Sequence, residues 1–142
     1  MTPARLIVRR RIGDIETPVG AMLKLGDDAP GSFLFESIAG GERLGRYSFI
    51  GLEPEHWFRI QDGVATVSDT ADFANPISTS DQPVQALRDF VRFAQADTDT
   101  PLPPMASGAF GYVGYDMIQH VEPVTVTGAD TLDVPEALLV IP

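Results

Sequence analysis

Residues 56–67 read HWFRIQDGVATV, two apolar β-prone runs separated by Gln61, Asp62 and Gly63. Asp-Gly between such runs is a strong hairpin signal, because both central positions of a tight turn need positive φ. Working back from it, residues 46–52 (RYSFIGL) predict a strand ended by Pro54, and residues 32–37 (SFLFES) a buried strand that Gly40-Gly41 interrupts. Thr17-Pro18 places an N-cap before a first-turn proline; Val19, Met22 and Leu23 follow at helical spacing, and Gly26 can close a short helix. Forward of the hairpin, residues 69–82 are polar and turn-rich and read as a surface loop. Ser80 or Asp81 then caps a helix from Pro83. Its apolar stripe is Val84, Leu87, Phe90, Val91 and Ala94, while Arg88, Asp89 and Arg92 point away. After the proline-rich connector 100–104, residues 107–115 mix glycine with aromatics, as in a strand that another backbone or a ligand approaches closely. A short helix over 117–121 and a last strand over 136–141 complete an α+β chain, mainly antiparallel, with three helices on one side of the sheet.

The chain has 142 residues, enough for one core, and no repeat of solenoid length. Its formal net charge of −10 disfavours nucleic acid and anionic membranes as partners. The basic cluster Arg5, Arg9, Arg10 and Arg11 alternates with Leu6, Ile7, Val8 and Ile12, which suits a strand edge or a solvated segment. There is no cysteine, hence no disulfide or zinc–sulfur site. The first residues lack the apolar core of a signal peptide, and no apolar run approaches the roughly 20 residues that cross a bilayer. A soluble cytoplasmic protein is expected.

No His-Glu-x-x-His, P-loop or GxSxG pattern is present. His56 follows Glu53 and Glu55, but no second ligand pair is spaced to join them, so these read as solvated groups and no metal site is expected. The run GAFGYVG at 108–114 lacks GxGxxG spacing, and Tyr112 would obstruct a pyrophosphate. What remains is a small-molecule site. Glu36 and Ser37 end one strand and Arg46 and Tyr47 open the next, with Phe35, Phe110 and Tyr112 as apolar walls. A carboxylate and a guanidinium so placed match the ammonium and carboxylate of an amino acid. They equally match a cross-strand Glu36–Arg46 ion pair over ordinary packing.

Three blocks, ETPVGAMLKL (16–25), FLFESIAGGERLGRYSFIGLEP (33–54) and SGAFGYVGYD (107–116), resemble the amino-terminal region of anthranilate synthase component I in content, order and spacing. Aminodeoxychorismate synthase component I shares part of the pattern, and a free-standing amino-acid-binding module is a further alternative. Phe35 stands where that family usually has leucine. The resemblance implies that residues 1–142 are an amino-terminal regulatory domain whose catalytic, chorismate-binding domain is absent. The two-sheet core would be packed orthogonally and completed by that carboxy-terminal domain. It implies L-tryptophan as feedback effector, held by Glu36, Ser37 and Arg46 with help from Gly111 and Tyr112. It also implies a parent lyase that uses magnesium, at a site not in this chain, and ammonia from a glutamine amidotransferase component II. No catalytic residue is expected here, and this chain alone is expected to be inactive. Sheet edges and faces left open by a missing half would favour a homo-oligomer.

Overall fold

The computed structural model describes residues 6–26, 29–36, 47–96, 102, 105–125, 127 and 132–142. The chain divides into two units, Ile7–Pro54 and, with the first residues, Glu55–Ile141. In the first, helix α1 (Pro18–Leu25) starts where the Thr17 hydroxyl accepts from the Gly20 N–H at 3.0 Å, and it ends where the Gly26 N–H donates to Met22. Strands β1 (Phe33–Glu36) and β2 (Ser48–Gly51) pair antiparallel beside it. Phe33 and Phe35 share one face with ring centroids 4.8 Å apart. Phe33 also lies opposite Gly51, where an added Cβ would sit 2.2 Å from its ring, so the glycine makes room for the phenylalanine.

The second unit is a five-stranded antiparallel sheet in the order β5-β4-β3-β7-β6. The expected hairpin is its centre: β3 (His56–Gln61) and β4 (Val64–Ser68) join through Asp62 (φ 51°) and Gly63 (φ 73°). β7 (Ala137–Ile141) pairs with the other side of β3 and carries β6 (Phe110–Val113) outside it. Strand alternation sends Phe58, Ile60, Ala65, Ala137 and Leu139 to one face. Phe90 of helix α2 (Pro83–Phe93) and Met117 of the 3-10 helix Tyr115–His120 pack on that same cluster, Phe90 stacked on Phe58 at 5.0 Å. On the opposite face a cross-strand row of Trp57, Val140 and Phe110 is also buried.

Several expectations shift. The loop 69–82 contains a short edge strand, β5 (Ser78–Ser80), paired with β4. Neither Ser80 nor Asp81 caps α2: the Ser80 hydroxyl accepts from the Gln82 N–H at 3.1 Å, and Gln82 occupies the cap with no side-chain bond. Val91 is exposed and Ala86 packs on the core in its place. The helix expected at 117–121 is a 3-10 turn starting two residues earlier. His56 is not solvated: its ring meets Phe93 edge-on at 5.4 Å, and its Nδ1 is buried.

The rest of the loop is held by a polar chain. The Ser68 hydroxyl accepts from the Thr70 N–H, and the Asp72 carboxylate accepts from the Ala74 N–H at 3.0 Å and the Thr70 hydroxyl at 2.7 Å. The Ala74 N–H and then the Thr70 hydroxyl hold the Asp72 carboxyl below its ordinary value. A depressed folded value means that Asp72 stabilises the fold above its unfolded value and loses that contribution as pH falls through the folded one. Asp72→Asn should therefore flatten the acid limb of stability below about pH 4, read as urea midpoints against pH beside the unaltered chain.

Gly111 tests the packing of β6. Its φ is 148°, and an added Cβ would fall 2.0 Å from the Leu138 carbonyl oxygen and 2.9 Å from the Leu139 Cα. Gly108 has the same kind of φ, 149°, with nothing within 4 Å. Gly108→Ala should cost about 1–2 kcal/mol of backbone strain. Gly111→Ala should cost clearly more, about 3 kcal/mol or above, because the strand must also retreat from β7. Equal losses in chemical denaturation would mean that the close approach is not what fixes the glycine.

Candidate functional site

The expected site residues fall in both units. Glu36 is the last residue of β1, exposed, and without an ion-pair partner among the described residues. Alternation puts it on the face of Leu34, opposite the Phe33–Phe35 rings, so Phe35 does not wall the Glu36 side of the strand. Ser37 and Arg46 lie outside the described residues. Gly111 and Tyr112 lie on β6 in the second unit. Gly111 faces the β7 backbone, so its contribution is close strand approach. The half-exposed Tyr112 is aimed by its hydroxyl, which donates to the Pro135 carbonyl at 3.0 Å.

Tyr112 also walls a cleft of about 570 Å³ at one end of the five-stranded sheet. Its floor is a junction at Glu136. One carboxylate oxygen accepts from the Gly63 N–H of the β3–β4 turn at 3.1 Å, and the other lies 2.6 Å from Nε2 of His120. The Glu136 carbonyl accepts from the Gly114 N–H at 2.7 Å. One residue thus ties the hairpin turn, the end of β6 and the 3-10 helix to the start of β7. His120 and Glu136 are 19% and 15% exposed, so water competes little for the bond. Asp62, Asp116 and Tyr115 line the mouth, and among the described residues no lysine or arginine does. Sequence reasoning missed this junction. His120 and Glu136 lie 16 residues apart with no spacing motif, and only the pairing of β7 with β6 brings them together.

Among the described residues no three His, Asp or Glu side chains are placed to hold a metal, and no helix is long and apolar enough to cross a membrane.

No family model matches the chain. It is 34% identical over 140 residues to anthranilate synthase component 1 of Cereibacter sphaeroides, covering 97% of this chain and 28% of that protein. To the Thermus thermophilus protein of the same name it is 38% identical over 131 residues, covering 92% of this chain and 27% of the other. The crystal structure of anthranilate synthase component I from Streptococcus pneumoniae aligns with 95% of this chain and 28% of that one, at a TM-score of 0.50 and 24% identity, a likeness of fold. The chain therefore spans little more than a quarter of the relatives it matches.

The Glu136 junction makes a stability prediction. Glu136→Ala strands the Gly63 N–H and the His120 ring and should cost about 1–3 kcal/mol. Glu136→Gln keeps an acceptor for Gly63 and should cost less. Urea unfolding of both variants checks the order, and a neutral Glu136→Ala would leave the junction without structural weight.

Proposed function

We propose, on the premise that the chain is homologous to the amino-terminal quarter of anthranilate synthase component 1 over about 95% of its length, that it is the regulatory, tryptophan-binding part of such an enzyme. The observation that carries this reading is identity of 34–38% extending over nearly the whole chain. The parent protein would convert chorismate and glutamine-derived ammonia to anthranilate and pyruvate in the cytoplasm, with a glutamine amidotransferase component II as partner. Its finer architecture, an orthogonally packed two-sheet core completed by a carboxy-terminal domain, is proposed on the same ground. The magnesium proposed for the whole enzyme finds no ligand set among the described residues.

In this reading Glu36 accepts from the ammonium group of tryptophan, Arg46 pairs with its carboxylate, and the Ser37 hydroxyl adds a polar contact. Glu36 is available for that work, being exposed at a strand end. Gly111 and Tyr112 lie in the other unit, where Gly111 lets β6 close on β7 and the Tyr112 hydroxyl is anchored on Pro135; their help to the effector is proposed from the resemblance alone.

Inhibition from a regulatory site is a coupling free energy, typically about 1–3 kcal/mol, so losing the effector should leave uninhibited turnover nearly intact. In the full-length enzyme Ser37→Leu should intrude on the ligand and relieve inhibition, and Arg46→Ala should do the same by removing the charged partner of its carboxylate. Inhibition curves with tryptophan decide it: unchanged inhibition in a folded Ser37→Leu enzyme would put the effector elsewhere. The 142-residue chain alone, given chorismate, magnesium and ammonia, should produce no anthranilate fluorescence above a protein-free blank.

A further inference from the structure

The net charge is distributed very unevenly. Residues 55–141 hold thirteen Asp and Glu against three Arg, the whole net −10, whereas residues 1–54 hold seven acidic and seven basic side chains and are neutral. Three of those seven cations are consecutive, Arg9, Arg10 and Arg11. They lie in a segment without regular structure, every residue of 6–15 is exposed, and none of the three arginines makes an ion pair among the described residues. Isoleucines flank them, Ile7 at 73% and Ile12 at 89% exposure. The segment therefore presents both positive charge and open apolar surface.

The cleft beside Glu136 has the complementary chemistry. Asp62 and Asp116 give it negative charge, no lysine or arginine among the described residues offsets them, and Tyr115 (88% exposed), Leu132 and Val134 offer apolar and aromatic surface at its mouth. Tyrosine faces accept guanidinium groups by cation–π contact, and aspartates accept their paired N–H donors.

We infer that this cleft is a docking surface for the arginine segment, residues 7–12, of a second copy of the chain. The arginines would meet Asp62 and Asp116, and the isoleucines would cover the open apolar surface. When each copy supplies both the segment and the cleft, the contact is reciprocal and two copies close as a symmetric dimer. It goes beyond the homo-oligomer expected from open sheet edges by naming the surfaces and making charge, rather than strand pairing, the driving term. Its contacts use neither Glu36, Ser37 nor Arg46, although Tyr112, proposed beside the effector, also walls this cleft.

Sedimentation of the 142-residue chain tests it. A dimer is expected near 50 mM salt that weakens at least tenfold by about 0.5 M, where screening falls to a few ångströms. The triple change Arg9→Glu, Arg10→Glu, Arg11→Glu and the single change Asp116→Lys should each yield monomer. All these positions are exposed, so circular dichroism should be unchanged. Combining the two sets should restore association above that of either alone. A peptide of residues 6–15 should compete with the dimer, and its arginine-to-alanine version should not. A chain that is monomeric throughout, a dimer indifferent to salt, or one that survives both charge reversals would overturn the inference. The last two results would point to the sheet edges instead.

Discussion

Strand β7 is the element on which the second unit depends. It lies between β3 and β6, so without it the central hairpin loses one neighbour and β6 loses its strand partner. Ala137 and Leu139 also put β7 into the main core cluster, while Val140 joins Trp57 and Phe110 on the opposite face. Its cost is a steric condition on β6. The Leu138 carbonyl occupies the space a side chain would need at position 111, so glycine there is a consequence of strand placement. Glu136, immediately before β7, turns the same placement into a polar junction that holds the hairpin turn and the 3-10 helix.

That dependence explains which features were legible in the sequence. Features set by local chemistry are legible. Asp62-Gly63 forms the turn with both φ values positive, Thr17-Pro18 starts α1, Gly26 ends it, and Phe90 and Ala94 mark the inner face of α2. Features set by a distant partner were not. Ser78–Ser80 is too short and polar to announce a strand and becomes one because β4 has a free side. His56 sits beside two glutamates in sequence and looked solvated, yet it packs on Phe93, 37 residues later. Ser80 has the residue type of a helix cap, but its hydroxyl is engaged by the turn that leads into α2. The His120–Glu136 bond depends wholly on sheet topology and has no sequence trace.

For the candidate site the balance is different. Glu36 was placed at a strand end, and the structure has it there, exposed. Of the expected aromatic walls, Phe35 is on the opposite strand face from Glu36, because alternation sends neighbouring side chains to opposite faces. A similar consideration separates the roles of Gly111 and Tyr112, adjacent in sequence. The first is consumed by backbone contact, and only the second offers a ring.

The electrostatics of the two regions point to different ligands. An amino acid carries a carboxylate, and bringing it into the cleft beside Glu136 would set it against Asp62 and Asp116 with no lysine or arginine among the described lining residues to offset the repulsion. Like charges a few ångströms apart repel strongly wherever water is partly excluded, and Glu136 is itself largely shielded from water. The cleft therefore selects against a zwitterionic effector and for a cationic segment. An effector with both an ammonium and a carboxylate needs a carboxylate and a guanidinium on the same wall. Glu36 with Arg46 offers that pair of residue types, whereas the described lining of the cleft offers carboxylates without a lysine or arginine.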